Sequence, residues 1–197
     1  MKNGLGETKM NKNEFVELMK TTKKVEKGSE LFEMFHILAD DAIKITMELN
    51  NKYHTKEEIV EIFSKLTNKK VDSTFRLFPP FYTDCGVNIT LGKNVFINSN
   101  CKFQDQGGIT IGDNVLIGHN VVIATINHDL NPKKRADMYP KPVKIGNNVW
   151  IGSNVVILGG VTVEDGAVIG AGSIVTKNIP KNAVAFGSPC KVQRFVN

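Results

Sequence analysis

The feature that most constrains the fold of this chain is an aliphatic residue that returns about every six positions between residues 91 and 175. A unit this short cannot hold a helix pair, and it buries its apolar side chain only against neighbouring units. The repeating positions are Leu91, Ile97, Phe103 (a looser member), Ile111, Ile117, Ile123, Ile145, Ile151, Ile157, Val163, Ile169 and Val175. The sequence therefore predicts a solenoid built from short strands.

Turn-forming residues recur between the aliphatic positions. Glycine directly follows the aliphatic residue in many repeats, as at Gly112 and Gly118, and asparagine comes two residues after the glycine, as at Asn114 and Asn120. Both residue types tolerate positive φ or bond their own backbone, so we expect them to turn the chain. The residues between the turns are β-branched, which favours strands. Three repeats are predicted to close a triangular coil that stacks by parallel strand pairing.

Two insertions interrupt the period. Residues 103 and 111 are eight positions apart, and residues 123 and 145 are twenty-two apart. Insertions in a solenoid project from the stack, and projecting loops on rigid scaffolds often carry function. The larger insertion, a projecting loop over 124–143, contains His128 and is the first place to look for chemistry.

The region before the solenoid is predicted to be helical. Residues 1–12 are expected to form a flexible leader, and residues 13–74 a helical cap over the first coil. Three helices are predicted there: one that Asn13 could cap, one from Ser29 to about Asn50, and one from Thr55, which forms a capping box with Glu58.

The remaining chain, residues 75–197, is assigned to the solenoid domain. It begins with Phe78-Pro79-Pro80-Phe81, which is expected to be extended and irregular because proline cannot donate to a strand ladder. Beyond Val175 the period fails, so residues 179–197 are predicted to be a tail that folds off the last coil.

Composition narrows the class of partner. The net charge of +5 suits an anionic small molecule, and no nucleic-acid-binding motif is present. The three cysteines are widely spaced without a CxxC pair, which supports neither a disulfide framework nor a zinc knuckle. With no apolar segment of membrane-spanning length, we expect a cytoplasmic protein without membrane partners.

Several motifs together resemble the maltose/galactoside O-acetyltransferase family of hexapeptide-repeat acyltransferases. They are the repeats, Phe78-Pro79-Pro80-Phe81, Asn127-His128, the segment 143–153, Ile169-Gly170-Ala171-Gly172-Ser173 and Gly187-Ser188-Pro189-Cys190. The resemblance implies a mainly β fold, a left-handed parallel β-helix with an N-terminal helical cap. It also implies acetyl-CoA as co-substrate, a hydroxyl of a sugar or related small molecule as acceptor, and a homotrimer with sites between adjacent chains.

The reaction that the resemblance implies needs a positioned base, because a sugar hydroxyl is a poor nucleophile at neutral pH. Of the four histidines, His36 and His54 fall in the cap, and His119 occupies a corner of a regular repeat. A lone loop histidine is commonly without a special role, but His128 matches the family motif and is predicted to be the general base. Asp137 is considered as a residue that orients it.

The resemblance also assigns acceptor-binding positions. Asn98 and Asp105 match family residues at the acceptor, although each could instead be an ordinary turn residue, and Met138 resembles the pocket wall. The cap departs from the family. The family's Asp-Pro-Glu-Leu followed by arginine is replaced by residues 28–31, Gly-Ser-Glu-Leu, with no arginine after it in that helix. The identity of the acceptor is therefore open.

A groove for acetyl-CoA is the remaining implied site. A pantetheine arm needs an extended apolar groove, and the nucleotide end needs cations. The matching positions are Trp150, Ser153, Ala171, Thr176, Lys177, Lys191 and Arg194. Trp150 could equally serve packing alone. No metal is expected for catalysis.

Three other functions are compatible with parts of this sequence. An acetyltransferase acting on an amino group or on a non-sugar, antibiotic-like acceptor is the principal alternative. A γ-type carbonic anhydrase needs three histidines on a metal, and the solenoid offers only His119 and His128. A solenoid that merely oligomerises gives no reason for the long insertion that carries His128.

Overall fold

A computed structural model describes residues 10–196 of the chain, and the predicted cap consists of three helices. The helices are α1 (Lys12–Met19), α2 (Glu30–Asn50) and α3 (Lys56–Thr67). The predicted leader falls mostly outside the described residues, and its end is already structured. Asn11, not Asn13, caps α1. Its side chain accepts a hydrogen bond from the N–H of Glu14, and the Glu14 carboxylate accepts one from the N–H of Asn11. The Ser29 cap and the Thr55–Glu58 capping box are confirmed.

The rest of the chain forms short strands. They are β1 (Arg76–Leu77), β2 (Phe81–Thr83), β3 (Ile89–Leu91), β4 (Phe96–Ile97), β5 (Cys101–Gln104), β6 (Ile109–Ile111), β7 (Leu116–Ile117), β8 (Val122–Ala124), β9 (Ile126–His128), β10 (Met138–Pro140), β11 (Val143–Ile145), β12 (Trp150–Ile151), β13 (Val156–Leu158), β14 (Thr162–Val163), β15 (Val168–Ile169), β16 (Ile174–Val175), β17 (Ala183–Gly187) and β18 (Cys190–Phe195). A single turn of 3₁₀ helix, Pro132–Lys134, lies in the large insertion.

These strands stack into the three faces of a parallel solenoid. Face 1 runs β1-β4-β7-β12-β15-β17-β18, face 2 runs β2-β5-β8-β13-β16, and face 3 runs β3-β6-β11-β14. The chain passes from face 1 to face 2 at what we call the first corner, and from face 2 to face 3 at the second corner. Apart from β9, β10 and β18, every strand pairs in parallel with the coil above or below.

The repeating aliphatic residues form the core, as predicted. On face 1, Ile97 pairs with Ile117, and Ile151 pairs with both Ile117 and Ile169. The equivalent aliphatic residues of faces 2 and 3 stack in the same way, and all twelve repeat positions are buried except Leu91, which is partly buried. Because each aliphatic residue packs on an aliphatic residue of the next coil, the interior has nearly the same shape in every coil.

Asparagine and glycine have different roles at the corners. The five asparagines Asn94, Asn114, Asn120, Asn148 and Asn154 have φ between 53° and 60°, as expected of turn residues. The prediction that the glycines after the aliphatic residues also make the turn is wrong, since none of them has positive φ. A Cβ on Gly118 would instead lie 2.6 Å from the backbone nitrogen of Ser153. Those glycines allow adjacent coils to approach closely.

The helical cap closes the open end of the stack. The side chain of Asn50, the last residue of α2, donates to the carbonyl of Phe81 at 2.8 Å and accepts from its N–H at 2.9 Å. It thereby satisfies β2 at the edge of face 2 in place of a further coil. Phe63 of α3 packs against Phe75 and Phe81, with ring centroids 4.7 and 5.2 Å apart. Because β1 pairs in parallel with β4, the solenoid begins at Arg76, before the proline segment.

The carboxyl-terminal segment differs from the predicted tail. β17 continues face 1 in parallel with β15, and β18 then returns antiparallel to β17. Residues 183–187 therefore complete the last coil, and only β18 folds back over it. Within residues 10–196 no helix has both the length and the apolar character needed to cross a membrane.

Candidate active site

The large insertion at the second corner is mainly a β-hairpin that carries His128. Strands β9 and β10 pair antiparallel, with His128 opposite Met138. Val25, in the link between α1 and α2, pairs with the outer side of β10 through two backbone hydrogen bonds to Met138, of 2.8 and 2.9 Å. His128 therefore lies on a hairpin that is anchored to both the solenoid and the cap.

The imidazole of His128 is oriented by a backbone carbonyl. Its Nδ1 lies 2.8 Å from the carbonyl oxygen of Arg135. A carbonyl can only accept, so Nδ1 carries the proton and the neutral ring keeps its lone pair on Nε2. The Arg135 side chain holds this part of the loop, since Nε donates to the carbonyl of Asp129 at 2.6 Å and Nη2 to that of Leu130 at 2.8 Å.

The side chain of Asp129 also stabilises this loop through hydrogen bonds. Its carboxylate accepts from the N–H of Asn131 and from the hydroxyl of Tyr139, each at 2.8 Å. These two bonds, the backbone bond first, lower the pKa of Asp129 below its ordinary value. The carboxylate is thus ionised at neutral pH, when it holds the turn that follows His128.

Asp137 does not orient His128, in contrast to the role considered for it from the sequence. Its carboxylate accepts from the N–H of Lys27 at 3.1 Å and pairs with the Lys24 ammonium at 3.0 Å. These partners, with the Lys27 bond first, lower the pKa of Asp137. It fastens the hairpin to the cap, and the carbonyl of Arg135 takes the orienting role.

A cavity of about 350 Å³ opens beside His128, between the hairpin and α2. Its α2 wall consists of Phe32, Phe35, His36, Ala39 and Ile43. The opposite side is formed by Thr83, Asp84 and Gln106 at the second corner and by His128, Ala136 and Met138 on the hairpin. The structure thus brings the predicted base and the predicted wall residue Met138 to one cavity of small-molecule size.

Asp105 lies behind this cavity and is fully buried. One carboxylate oxygen accepts from the Thr83 hydroxyl at 2.7 Å and the Cys85 N–H at 2.8 Å, and the other accepts from the Asn88 N–H at 3.1 Å. Burial raises its pKa, and these hydrogen bonds oppose that rise. The carboxylate is occupied by protein donors, which favours a structural aspartate, and its neighbour Gln106 lines the cavity instead.

Other predicted residues lie away from His128 within one chain. Asn98 follows β4 at the first corner, and Ser153 and Ala171 occupy the same corner further along the stack. His119, next to Ser153, is an exposed corner residue and donates its N–H to the Ser153 hydroxyl at 3.2 Å. Trp150 projects from face 1 with 56% of its surface exposed. These residues form a second group, separated from the hairpin by face 2.

The remaining predicted cofactor residues are exposed. Thr176 and Lys177 follow β16 and therefore lie at the second corner, on the same side of the solenoid as the hairpin. Lys191 and Arg194 lie on β18, at the end of face 1. The described chain holds these cations in solvent, where they are free to meet an anionic group.

The described residues contain no group of three His, Cys, Asp or Glu side chains that could hold a metal ion. His119 and His128, the two solenoid histidines, lie at different corners of the coil. Within residues 10–196, one chain therefore brings together no metal-ligand set of the carbonic anhydrase kind.

Sequence reasoning missed two residues that matter to this geometry, Arg135 and Gln106. Arg135 is the only arginine in the insertion, and Gln106 sits in the smaller insertion beside Asp105. The apolar wall of the cavity could also have been predicted from the sequence of α2. Phe32, Phe35, Ala39 and Ile43 are three or four residues apart and form a second apolar stripe on α2 beside the one that faces the core.

Two family models match the chain. The model described as bacterial transferase hexapeptide (six repeats) matches residues 142–177, and the one described as hexapeptide repeat of succinyl-transferase matches residues 88–125. Both matches fall on the repeats that build the three faces.

Relatives match over nearly the whole length. The chain is 40% identical over 184 residues to galactoside O-acetyltransferase of Escherichia coli strain K12, covering 91% of each. Its fold is similar to the crystal structure of a maltose O-acetyltransferase from Clostridium difficile 630, with a TM-score of 0.83, 37% identity, and coverage of 92% of this chain and 97% of that one. A galactoside acetyltransferase in complex with coenzyme A gives a TM-score of 0.78 with 37% identity, covering 93% and 91%. The predicted fold class, a left-handed parallel β-helix with a helical cap, is confirmed.

Proposed function

The chain belongs to the hexapeptide-repeat family of galactoside and maltose O-acetyltransferases, and we propose that it transfers an acetyl group from acetyl-CoA to a hydroxyl of a sugar or related small acceptor, with His128 as general base. The observation that carries the proposal is the hydrogen bond from Nδ1 of His128 to the Arg135 carbonyl beside the cavity. This bond leaves Nε2 as the proton acceptor.

The chemistry follows from that tautomer. Nε2 takes the proton of the acceptor hydroxyl as its oxygen attacks the thioester carbonyl, so that an oxygen–carbon bond forms and a tetrahedral intermediate results. When the intermediate collapses, the carbon–sulfur bond breaks, and the imidazolium returns the proton to the leaving thiolate of CoA. The Nδ1–H bond to the carbonyl persists in both protonation states and keeps the ring aligned throughout.

The first corner and face 1 supply the features that a CoA arm requires. Ser153 and Ala171 are small residues beside close-packed glycines, and Trp150 offers an exposed apolar plate. We assign the pantetheine arm to this strip, and we assign Thr176 and Lys177, at the second corner, to the same groove as residues contributed by the adjacent chain. Lys191 and Arg194, exposed near the end of the stack, suit the phosphates of the nucleotide.

The outer surfaces of the solenoid support assembly into a homotrimer. The outward row of face 1 includes Phe96, Leu116, Trp150, Val168 and Val184. The outward row of face 2 holds Tyr82, Lys102, Val122, Val156 and Ile174, whereas that of face 3 holds three threonines and a lysine. Two largely apolar rows on different faces favour a head-to-tail contact that closes a ring of three. Asn98 would then meet His128 across the contact.

The decisive experiment compares His128→Ala with Leu130→Ala in a CoA-release assay with acetyl-CoA and a panel of sugars. Leu130 lies in the same loop and is 90% exposed, so Leu130→Ala controls for the effect of any substitution in this loop. We expect His128→Ala to reduce turnover on the order of 10²–10⁴ with an unchanged fold, and Leu130→Ala to remain active. Near wild-type turnover by His128→Ala would reject the assignment of the base.

A second acceptor class has one observation in its favour. Four of the five α2 residues that line the cavity are apolar, and α2 contains no arginine, so the cavity differs from the family's pattern where the acceptor would lie. An amino-group or non-sugar acceptor is the alternative, and matched alcohol and amine pairs in the same panel distinguish them.

A cytoplasmic location is also proposed, because all three cysteines are unpaired and buried.

A further inference from the structure

Thr125 lies at the base of the hairpin that carries His128, between β8 of the stack and β9. It is fully buried, and its hydroxyl makes two hydrogen bonds. Oγ1 donates to the carbonyl of Gln104 at 2.6 Å and accepts from the N–H of Gly107 at 2.8 Å. Because a hydroxyl has one proton, the bond to the carbonyl uses that proton and leaves a lone pair for the N–H of Gly107. One side chain therefore connects β5, the smaller insertion and the hairpin.

The backbone of Thr125 adds further bonds at the same place. Its carbonyl accepts from the N–H of Lys141, where the chain returns from the hairpin, at 2.8 Å. The next N–H, that of Ile126, donates to Oε1 of Gln104 at 3.2 Å. Both ends of the hairpin are thus held at one residue. We call Thr125, Gly107 and Lys141 the hairpin joint.

The hairpin joint has no space for a side chain at Gly107. A Cβ on this glycine would lie 2.8 Å from the carbonyl oxygen of Thr125, 2.9 Å from its Cβ and 3.0 Å from the backbone nitrogen of Lys141. Gly107 does not have positive φ, so the close approach, and not the backbone conformation, requires glycine here. The smaller insertion and the hairpin are therefore packed at a fixed separation.

The hairpin joint connects two parts of the cavity wall. Gln106 precedes Gly107 and lines the cavity from the smaller insertion, whereas His128 follows Thr125 by three residues and lines it from the hairpin. A shift of the joint would move the imidazole relative to the opposite wall. The bond from Nδ1 of His128 to the Arg135 carbonyl lies within the insertion and would move with the ring. Placement of the base matters because a displacement of about 1 Å can cost on the order of 10²-fold in rate.

We propose that Thr125 is a positioning residue for the acetyl transfer. Its hydroxyl joins the two insertions so that His128 lies at the distance from the opposite cavity wall that attack by the acceptor requires. Because Thr125 is fully buried, it contacts neither the acceptor nor CoA and acts only through the hairpin. The inference rests on the proposed function and identifies the group that fixes the position of its base.

The test compares Thr125→Val, which keeps the shape of the side chain without its hydroxyl, with Thr125→Ser, which keeps the hydroxyl. Gly107→Ala perturbs the hairpin joint from the opposite side. Asn148→Ala is the control, because it removes a turn residue at the corner between faces 3 and 1, away from the cavity. The CoA-release assay gives kcat and the KM for acetyl-CoA with 4-nitrophenyl β-D-galactopyranoside and with maltose as acceptors, and thermal unfolding gives the Tm.

We expect Thr125→Val and Gly107→Ala to lower kcat by about 10- to 100-fold. The KM for acetyl-CoA should stay close to that of the wild type, because the hairpin joint is not part of the groove assigned to CoA. Thr125→Ser should keep nearly wild-type kcat. The Tm of Thr125→Val and of Asn148→Ala should each fall by about 2–8 °C. Asn148→Ala should nevertheless keep the wild-type kcat well below its unfolding transition.

Three results would overturn the inference: wild-type kcat in Thr125→Val despite a lower Tm, an equal loss of kcat in Thr125→Ser, or a comparable loss in Asn148→Ala. The first would make the hydroxyl structural only, the second would assign the effect to the methyl group, and the third would assign it to general destabilisation. Full turnover by His128→Ala would reject the proposed base, and the positioning role with it. An inactive His128→Ala together with a fully active Thr125→Val would leave the proposed function and reject the positioning role alone.

Discussion

Replacing Arg135 tests how much of the activity depends on the loop that orients His128. The guanidinium makes two hydrogen bonds to loop carbonyls, of 2.6 and 2.8 Å, and the carbonyl of the same residue receives Nδ1 of His128. Arg135→Met keeps the length of the side chain and that backbone carbonyl but removes both donors. The loop would remain tied by the pairing of Val25 with Met138.

The size of the effect follows from the exposure of these bonds. Arg135 is exposed, so each bond stabilises the ordered loop by about 0.5–0.75 kcal/mol, at the lower end of the usual range. A total of about 1–1.5 kcal/mol shifts the ratio of ordered to open loop by roughly five- to twelvefold. If only the ordered loop is active, kcat/KM should fall severalfold, by no more than that factor and far less than on removal of the base itself.

Two measurements decide the case. The CoA-release assay gives kcat/KM for wild type, Arg135→Met and the control Lys133→Met, which removes a charge from the same loop without removing a side-chain bond. Nitrogen-15 NMR of labelled histidine, assigned with His128→Ala, reports whether the proton stays on Nδ1. Wild-type activity together with an unchanged tautomer in Arg135→Met would refute the positioning role. A loss as large as that of His128→Ala would show that the magnitude is wrong.

Three further predictions concern other parts of the chain. Asp105→Asn should lose about 1–3 kcal/mol of unfolding free energy in urea titration, because an amide nitrogen would face a backbone donor; unchanged stability would contradict the buried network. Asn148→Ala should be about 1 kcal/mol less stable than Asn148→Gly, since only glycine adopts φ of 55° without cost, and equal midpoints would contradict this. Replacing Lys191 and Arg194 together by glutamine should raise the KM for acetyl-CoA and leave kcat nearly unchanged, and an unaltered KM at low salt would remove β18 from the cofactor site.

The solenoid was predictable because its determinants are local and repeated. An aliphatic residue at a fixed interval can be buried only by stacking on the equivalent position of the next coil, as Ile117 does between Ile97 and Ile151. The asparagine turns also follow from local backbone preference. The role of the glycines does not follow from local backbone preference, because the contact that excludes a side chain at Gly118 comes from Ser153 in the next coil. A pattern within one repeat cannot separate those causes.

The candidate site was predictable only in part for a related reason. His128 was indicated by its insertion and by the family motif, but its orienting group is a carbonyl, which every residue possesses, and so no side-chain pattern indicated Arg135. Asp105 and Gln106 are adjacent in sequence, yet one turns into the stack and the other towards the cavity. Which of two neighbours faces a ligand depends on the insertion's backbone path, and the hexapeptide period stops there.

The separation of the two groups of site residues has a consequence for how the enzyme can work. His128, Met138 and Gln106 lie around one cavity at the second corner, whereas Asn98, Ser153 and Ala171 lie at the first corner. No rearrangement within a rigid stack of paired strands can bring two corners together, since the strands between these corners are joined in continuous parallel ladders. If both groups act on the same acetyl transfer, they must come from different chains, with the first corner of one facing the hairpin of the next. Substitution of Leu116 by lysine on the apolar row of face 1 should then lower the sedimentation coefficient and the activity together, and an active monomer would show that one corner suffices.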